Sequence, residues 1–136
     1  MDVDRSNRKI SADWCSELKP GGTPYFTVAY PEPGVNIPEI ETLIYLGSTE
    51  VSDDGGGQRR IGFLFQEAHS YLEDGDWSTL SEARRDEMTA DGTVMSYDEQ
   101  TVGHVADIDG LLVLLNDLRE HMRRGLGWDR YLPTEN

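Results

Sequence analysis

The stretch DIDGLLVLLNDLREHMRRG, residues 107–125, contains a start, an apolar face and a stop for one long helix. Asp109 can cap the amino terminus, and Ile108 can pack back onto Val113. Gly125 can end the helix in a left-handed turn. Between these signals apolar side chains recur at helical spacing, at Leu111, Leu114, Leu115, Leu118 and Met122. The pattern predicts a core helix.

The remaining chain predicts a sheet for this helix to cover. Segments rich in aromatic and β-branched residues, each bounded by turn residues, occur at residues 25–30, 40–46, 60–65 and 93–97. The SDDGGG turn at residues 52–57 joins the second and third as a hairpin. Shorter helices are predicted over residues 66–74 and from Asp76 or Ser78 to Met88.

Because strands come early and helices late, the chain predicts one α+β domain over residues 1–136. The expected architecture is a mostly antiparallel sheet of about four strands, with helices packed on one face and a long C-terminal helix over residues 110–124. Residues 1–9 and 133–136 are expected to be disordered. Trp128 and Tyr131, in the terminal segment, could pack on the body.

Residues 10–18 allow two interpretations. Ile10, Trp14 and Leu18 recur every fourth residue after a possible cap at Ser11, which favours a short helix. A strand over residues 10–14 is the alternative.

Composition favours a soluble, cytoplasmic protein. The single cysteine, Cys15, cannot form an internal disulfide, so folding does not require an oxidising compartment. The first nine residues are polar, and the longest apolar run, residues 111–115, is far shorter than the ~20 residues that span a bilayer.

The charge is strongly negative and unevenly distributed. The net charge is −14, and residues 61–136 carry sixteen acids against six bases. Residues 67–109 contain twelve acids and only two bases, Arg84 and Arg85. Such a surface repels nucleic acid and anionic membranes and attracts basic partners, although an acidic surface can also serve solubility alone.

No motif predicts a cofactor, a metal or an enzymatic reaction. The DIDG at residues 107–110 does not fit a calcium loop, because the first and last ligand positions are Val105 and Asn116. The triple glycine at residues 55–57 lacks the Gly-Lys-Ser/Thr ending of a phosphate loop, and no GxSxG is present. Cys15 has acidic neighbours that disfavour a thiolate, so we interpret it as a bystander.

The one candidate site is a group of polar and aromatic residues in the most acidic segment. His69 and Glu73 are four residues apart on a predicted helix, but two ligands make a poor metal site. Trp77 could be an exposed binding residue, although packing onto the core is the favoured interpretation. The candidate interaction or pocket residues are Glu67, His69, Tyr71, Glu73, Asp74, Asp76 and Trp77.

Three functions follow from these observations. The first is a small acidic interaction protein, such as an inhibitor, an immunity-type protein or a regulatory subunit, that binds a basic partner. The second is a ligand-binding domain or enzyme with a pocket between sheet and helices. The third is a structural homodimer formed through a strand edge or the aromatic tail.

Overall fold

The fold is organised around a four-stranded antiparallel sheet in the computed structural model, which describes residues 3–29, 39–52 and 59–123. Its strands are β3 (Pro24–Ala29), β4 (Glu39–Ser52), β5 (Arg59–Glu67) and β6 (Val94–Tyr97), in the spatial order β3-β4-β5-β6. The predicted α+β class and antiparallel sheet of four strands are therefore confirmed. The predicted turn at residues 52–57 lies largely outside the described residues, but β4 and β5 do pair antiparallel.

The described residues also form three α-helices. They are α1 (Ala68–Asp74), α2 (Glu82–Ala90) and α3 (Ile108–Arg123). Single 3-10 turns occur at Trp77–Thr79 and Val102–His104. Gly75 follows α1 with a φ of 83°, in the left-handed region that favours glycine. Ser81, rather than Asp76 or Ser78, caps α2 by accepting a hydrogen bond from the Arg84 amide.

Both faces of the sheet are buried. On one face Phe65 packs against Tyr45 and Tyr25, with ring centroids 5.3 and 6.3 Å apart, and Val102 and Val105 cover this cluster. On the other face α1, α2 and the turn between them cover a second cluster: Leu46, Leu64, Trp77, Met88 and Val94. One residue, Leu46, is extra in the β4 register and lies where the pairing shifts between Tyr45 and Gly47.

The segment 10–18 is not a helix. It forms a small antiparallel hairpin of β1 (Arg8–Lys9) and β2 (Glu17–Leu18), closed by a 2.9 Å hydrogen bond from the Ile10 amide to the Ser16 carbonyl. The Tyr25 hydroxyl accepts from the Lys19 amide and donates to the Glu17 carbonyl, so tertiary contacts outweigh the helical spacing.

Residues 3–9, which belong to the segment expected to be disordered, contact the sheet. Asp4 and Ser48 exchange two backbone hydrogen bonds of 2.7 and 2.9 Å, which extends the sheet beyond the start of β3. Val3 packs against the second cluster. The expected disorder of residues 133–136 lies outside the described residues.

The long helix α3 is present, but it is not the core helix that its sequence predicts. Asp107, not Asp109, caps it, by accepting a 2.7 Å hydrogen bond from the Gly110 amide. Ile108 and Val113, which were predicted to pack together, do not form a buried contact, because both side chains are more than half exposed. Leu111 is buried, whereas Leu114, Leu115 and Leu118 are half-buried. The predicted stop at Gly125 lies outside the described residues.

No helix in residues 3–29, 39–52 or 59–123 is long and apolar enough to cross a membrane.

Candidate functional site

The corner between β5 and α2 is held together by one buried amide side chain, Gln66. Its side-chain nitrogen donates to the Ser70 hydroxyl at 3.1 Å and to the Gly75 carbonyl at 3.0 Å. Its side-chain oxygen accepts from the Trp77 amide at 2.9 Å. Gln66 therefore fixes the turn that follows α1, and with it the position of Trp77.

Trp77 lies in the core. Its indole nitrogen donates to the Arg85 carbonyl at 3.1 Å, and the Arg85 guanidinium lies 5.6 Å from the ring centroid. The ring joins Leu46, Leu64 and Met88 in the second cluster. The interpretation of Trp77 as a packed residue is therefore confirmed, and it is not an exposed binding residue.

A shallow polar groove of about 200 Å³ runs along the outer side of this corner. Four of the seven candidate residues, Glu67, His69, Glu73 and Asp74, line it. The structure adds Ser70, Arg84, Met88 and Thr93 to the lining. We call Glu67, Glu73 and Asp74 the groove acids.

The other three candidate residues have different positions. Trp77 is part of the second core cluster, and Tyr71 is half-buried and packs against that cluster. Asp76 caps the 3-10 turn by accepting from the Ser78 amide at 2.9 Å, and it forms an ion pair with Arg5. The structure therefore separates the candidates into a groove-lining group and a packing group.

The pKa of Asp76 is lowered by its partners. Burial by itself raises the pKa of this carboxyl, but hydrogen bonds from Ser78 and the ion pair with Arg5 outweigh the burial. Asp76 thus joins the amino-terminal segment to the turn between α1 and α2, which is a structural role.

Arg84, a cation that lines the groove, forms ion pairs with neighbouring carboxylates. Arg84 lies 3.3 Å from an Asp74 oxygen and 3.3 Å from a Glu87 oxygen, and the hydrogen bond to Glu87 and the charge of Asp74 raise the pKa of its guanidinium. The His69 Nε2 lies 3.2 Å from a Glu73 oxygen. Glu67 forms no ion pair within the described part of the chain, so the groove retains negative charge.

The groove does not resemble a metal site or a small-molecule pocket. Among the described residues, no three His, Cys, Asp or Glu side chains are grouped so that they could hold a metal ion. Ligand pockets are usually about 300–1,000 Å³ and mostly apolar, whereas this groove is smaller and lined mainly by charged and polar side chains.

Cys15 has the environment of a bystander thiol. It is buried and donates to the Glu17 carbonyl at 3.3 Å. Burial, together with the charge of Asp107, raises its pKa to about 11, so the thiolate that a nucleophile requires is disfavoured.

The spacing of residues along β5 contains a signal for the burial of Gln66. Leu64 and Gln66 are two residues apart on β5, and residues at this spacing point to the same face of a sheet. Leu64 is a core residue, so the spacing favours burial of position 66, and a buried amide there needs hydrogen-bond partners. No comparable signal existed for Arg84, whose place in the groove depends on the angle at which α2 packs.

Comparison with known proteins finds no match among family models, curated proteins or solved structures.

Proposed function

We propose that this protein is a small acidic binding module whose groove acids, Glu67, Glu73 and Asp74, receive basic side chains of a protein partner. The observation that carries the proposal is the state of the two arginines in the acidic segment. Arg84 is engaged by Asp74 and Glu87, and Arg85 lies over Trp77. Ion pairs therefore engage Arg84, whereas Arg85 keeps its charge over the neutral indole ring, and the twelve acids of residues 67–109 still exceed these two bases by ten.

Helix α2 carries further negative charge on the side turned away from its groove-lining residues, Arg84 and Met88. Glu82 and Asp86 on α2 are exposed and form no ion pair within the described residues. Together with the groove acids, these carboxylates attract a cationic partner over a distance of about a Debye length. This supports recognition of a lysine-rich or arginine-rich surface rather than of a small molecule.

An inhibitor, an immunity-type protein or a regulatory subunit would use such a surface, and we propose the cytoplasm as its compartment because one buried thiol and no disulfide suit a reducing environment.

Binding to an eight-residue oligoarginine peptide tests the proposal. The double variant Glu67→Gln/Glu73→Gln removes two groove acids, and Glu39→Gln/Glu99→Gln removes two exposed acids elsewhere with the same change in net charge. At low salt we expect the groove variant to raise Kd about tenfold and the control to raise it less than about twofold. Fluorescence anisotropy of a labelled peptide measures both.

Two results would overturn the proposal. One is absence of peptide binding at low ionic strength. The other is an equal loss in both double variants, because it would mean that the peptide senses net charge and not the groove.

A further inference from the structure

The helix α3 has an exposed apolar stripe that its own sheet does not cover. Ile108, Leu112, Leu115 and Arg119 are spaced by four, three and four residues, so they lie on one side of the helix. Ile108 is 54% exposed and Leu112 is 52% exposed, while Leu115 is half-buried. We call these four residues the outer stripe.

The inner side of the same helix makes the contact with the body. Leu111 is buried, and the main strand contact of α3 is with β3. The Gly110 Cα faces the Trp14 carbonyl so closely that a Cβ there would lie 2.0 Å from its oxygen. This contact does not cover the outer stripe, so its apolar side chains Ile108 and Leu112 remain exposed to water.

The charges of α3 indicate what covers the stripe. The acidic end contains the exposed Asp109. The other end contains the exposed Arg119 with Asp117 and Glu120 close to it, and the sequence continues with His121, Arg123 and Arg124, so three arginines exceed two acids over residues 117–124. A parallel pair of such helices would place like charges together. An antiparallel pair would place the acidic end of each helix beside the basic end of the other and would oppose their dipoles.

We propose that the outer stripe is a self-association surface, on which two copies of this chain pair through antiparallel α3 helices. With the two-fold axis between positions 112 and 115, Leu112 of one copy faces Leu115 of the second copy, twice. Ile108 then faces the aliphatic stem of Arg119, whose guanidinium reaches Asp109 of the second copy. The same residues serve both sides, as a two-fold interface requires.

The size of the surface sets the expected strength. A sixteen-residue helix is about 24 Å long, and one pair of such helices lies near or below the roughly 1,200 Å² that stable complexes bury. The net charge of −14 on each copy also opposes association. We therefore expect a dimer in rapid exchange, with a Kd of about 10–100 µM.

Sedimentation velocity of the full chain from about 5 to about 500 µM tests the dimer. We expect the average mass to rise towards that of a dimer. Leu112→Glu should raise Kd at least about tenfold, because it places a charge in the central layer. Val113→Glu is the matched control, since Val113 is 59% exposed but lies among Asp109, Asn116 and Asp117 on a different side of the helix. It should change Kd by less than about twofold.

Charge reversal tests the antiparallel arrangement. Asp109→Arg and Arg119→Glu should each weaken the dimer, because each places like charges at both ends of the interface. An equimolar mixture of the two variants should restore association, since each end then has one cation and one anion. A purely structural role of either residue would not give this restoration.

The proposal is overturned if the chain remains a monomer at every concentration, as it would if its own residues 124–136 covered the stripe. It is also overturned if Val113→Glu dissociates the dimer as strongly as Leu112→Glu, or if the charge-reversed mixture fails to associate. Salt separates this result from the proposed function: the mainly apolar dimer persists at about 0.5 M salt, whereas oligoarginine binding is lost there.

Discussion

The two helical regions that flank the sheet differ in a way that their sequences conceal. Helices α1 and α2 are polar and short, yet with the turn between them they bring Trp77 and Met88 into the core. The helix α3 is longer and much richer in leucine, yet only Leu111 among its described apolar side chains is buried. The apolar content of a helix therefore does not determine how much of its surface the fold buries. The extent of burial depends on which of its residues face the sheet.

Replacing the central aromatic of the first region should have the largest effect. Trp77→Ala removes a buried ring and its hydrogen bond to the Arg85 carbonyl, so we expect the free energy of unfolding to fall by about 3–5 kcal/mol. Urea denaturation followed by far-UV circular dichroism measures the loss. The comparison residue is Leu112, and Leu112→Ala should cost less than about 0.5 kcal/mol at low micromolar concentration, where α3 is unpaired. Equal losses would contradict the difference between the two regions.

Removing the buried amide should have the next largest effect. Gln66→Ala leaves the Trp77 amide and the Gly75 carbonyl without their partner, so we expect a loss of about 2–3 kcal/mol. The control is Gln100→Ala, which alters an exposed side chain in a turn and should be nearly neutral. A neutral Gln66→Ala, measured in the same urea titration, would mean that the turn after α1 does not depend on this network.

The attachment of α3 to the body is tested by Gly110→Ala, because this substitution should destabilise the fold although glycine to alanine usually stabilises a helix. Glycine to alanine within a helix normally stabilises it by about 1 kcal/mol. At Gly110, however, the added Cβ would lie 2.0 Å from the Trp14 carbonyl oxygen, so we expect Gly110→Ala to destabilise the fold by about 1–2 kcal/mol. Gly103→Ala is the control, because a Cβ there meets nothing within 4 Å. Thermal unfolding of both variants gives the comparison, and a stabilised Gly110→Ala would show that α3 does not begin against Trp14.

These contrasts explain how much of the fold could be predicted. Strand patterns, such as the aromatic and β-branched residues of β3, are local, so the four strands and the helix α3 could be recognised. The hairpin at residues 8–18 could not, because its stability comes from the Tyr25 hydroxyl and other contacts distant in sequence.

The candidate site was only partly predictable for the same reason. The acidic segment is visible in the sequence, and four of its candidate residues do line one groove. The separation of Tyr71, Asp76 and Trp77 from that groove depends on the turn that Gln66 fixes. Which acids lie beside Arg84 depends on helix packing, which spacing along one helix does not determine.

The smallest expected effect concerns the contact of the amino-terminal segment with the first region. Asp76 has a lowered pKa in the folded protein, so the hydrogen bonds from Ser78 and the ion pair with Arg5 contribute stability above the ordinary value of 3.8, and this contribution is lost as the pH falls through the lower folded value.

The stability difference between wild type and Asp76→Asn should therefore be at most about 1 kcal/mol at pH 6, because water screens the partly exposed Arg5, and it should shrink below pH 4. Asp86→Asn, an exposed carboxylate of α2 without an ion pair among the described residues, is the control and should show no such dependence. A difference that grew on acidification would mean that burial, rather than the partners of Asp76, dominates its titration.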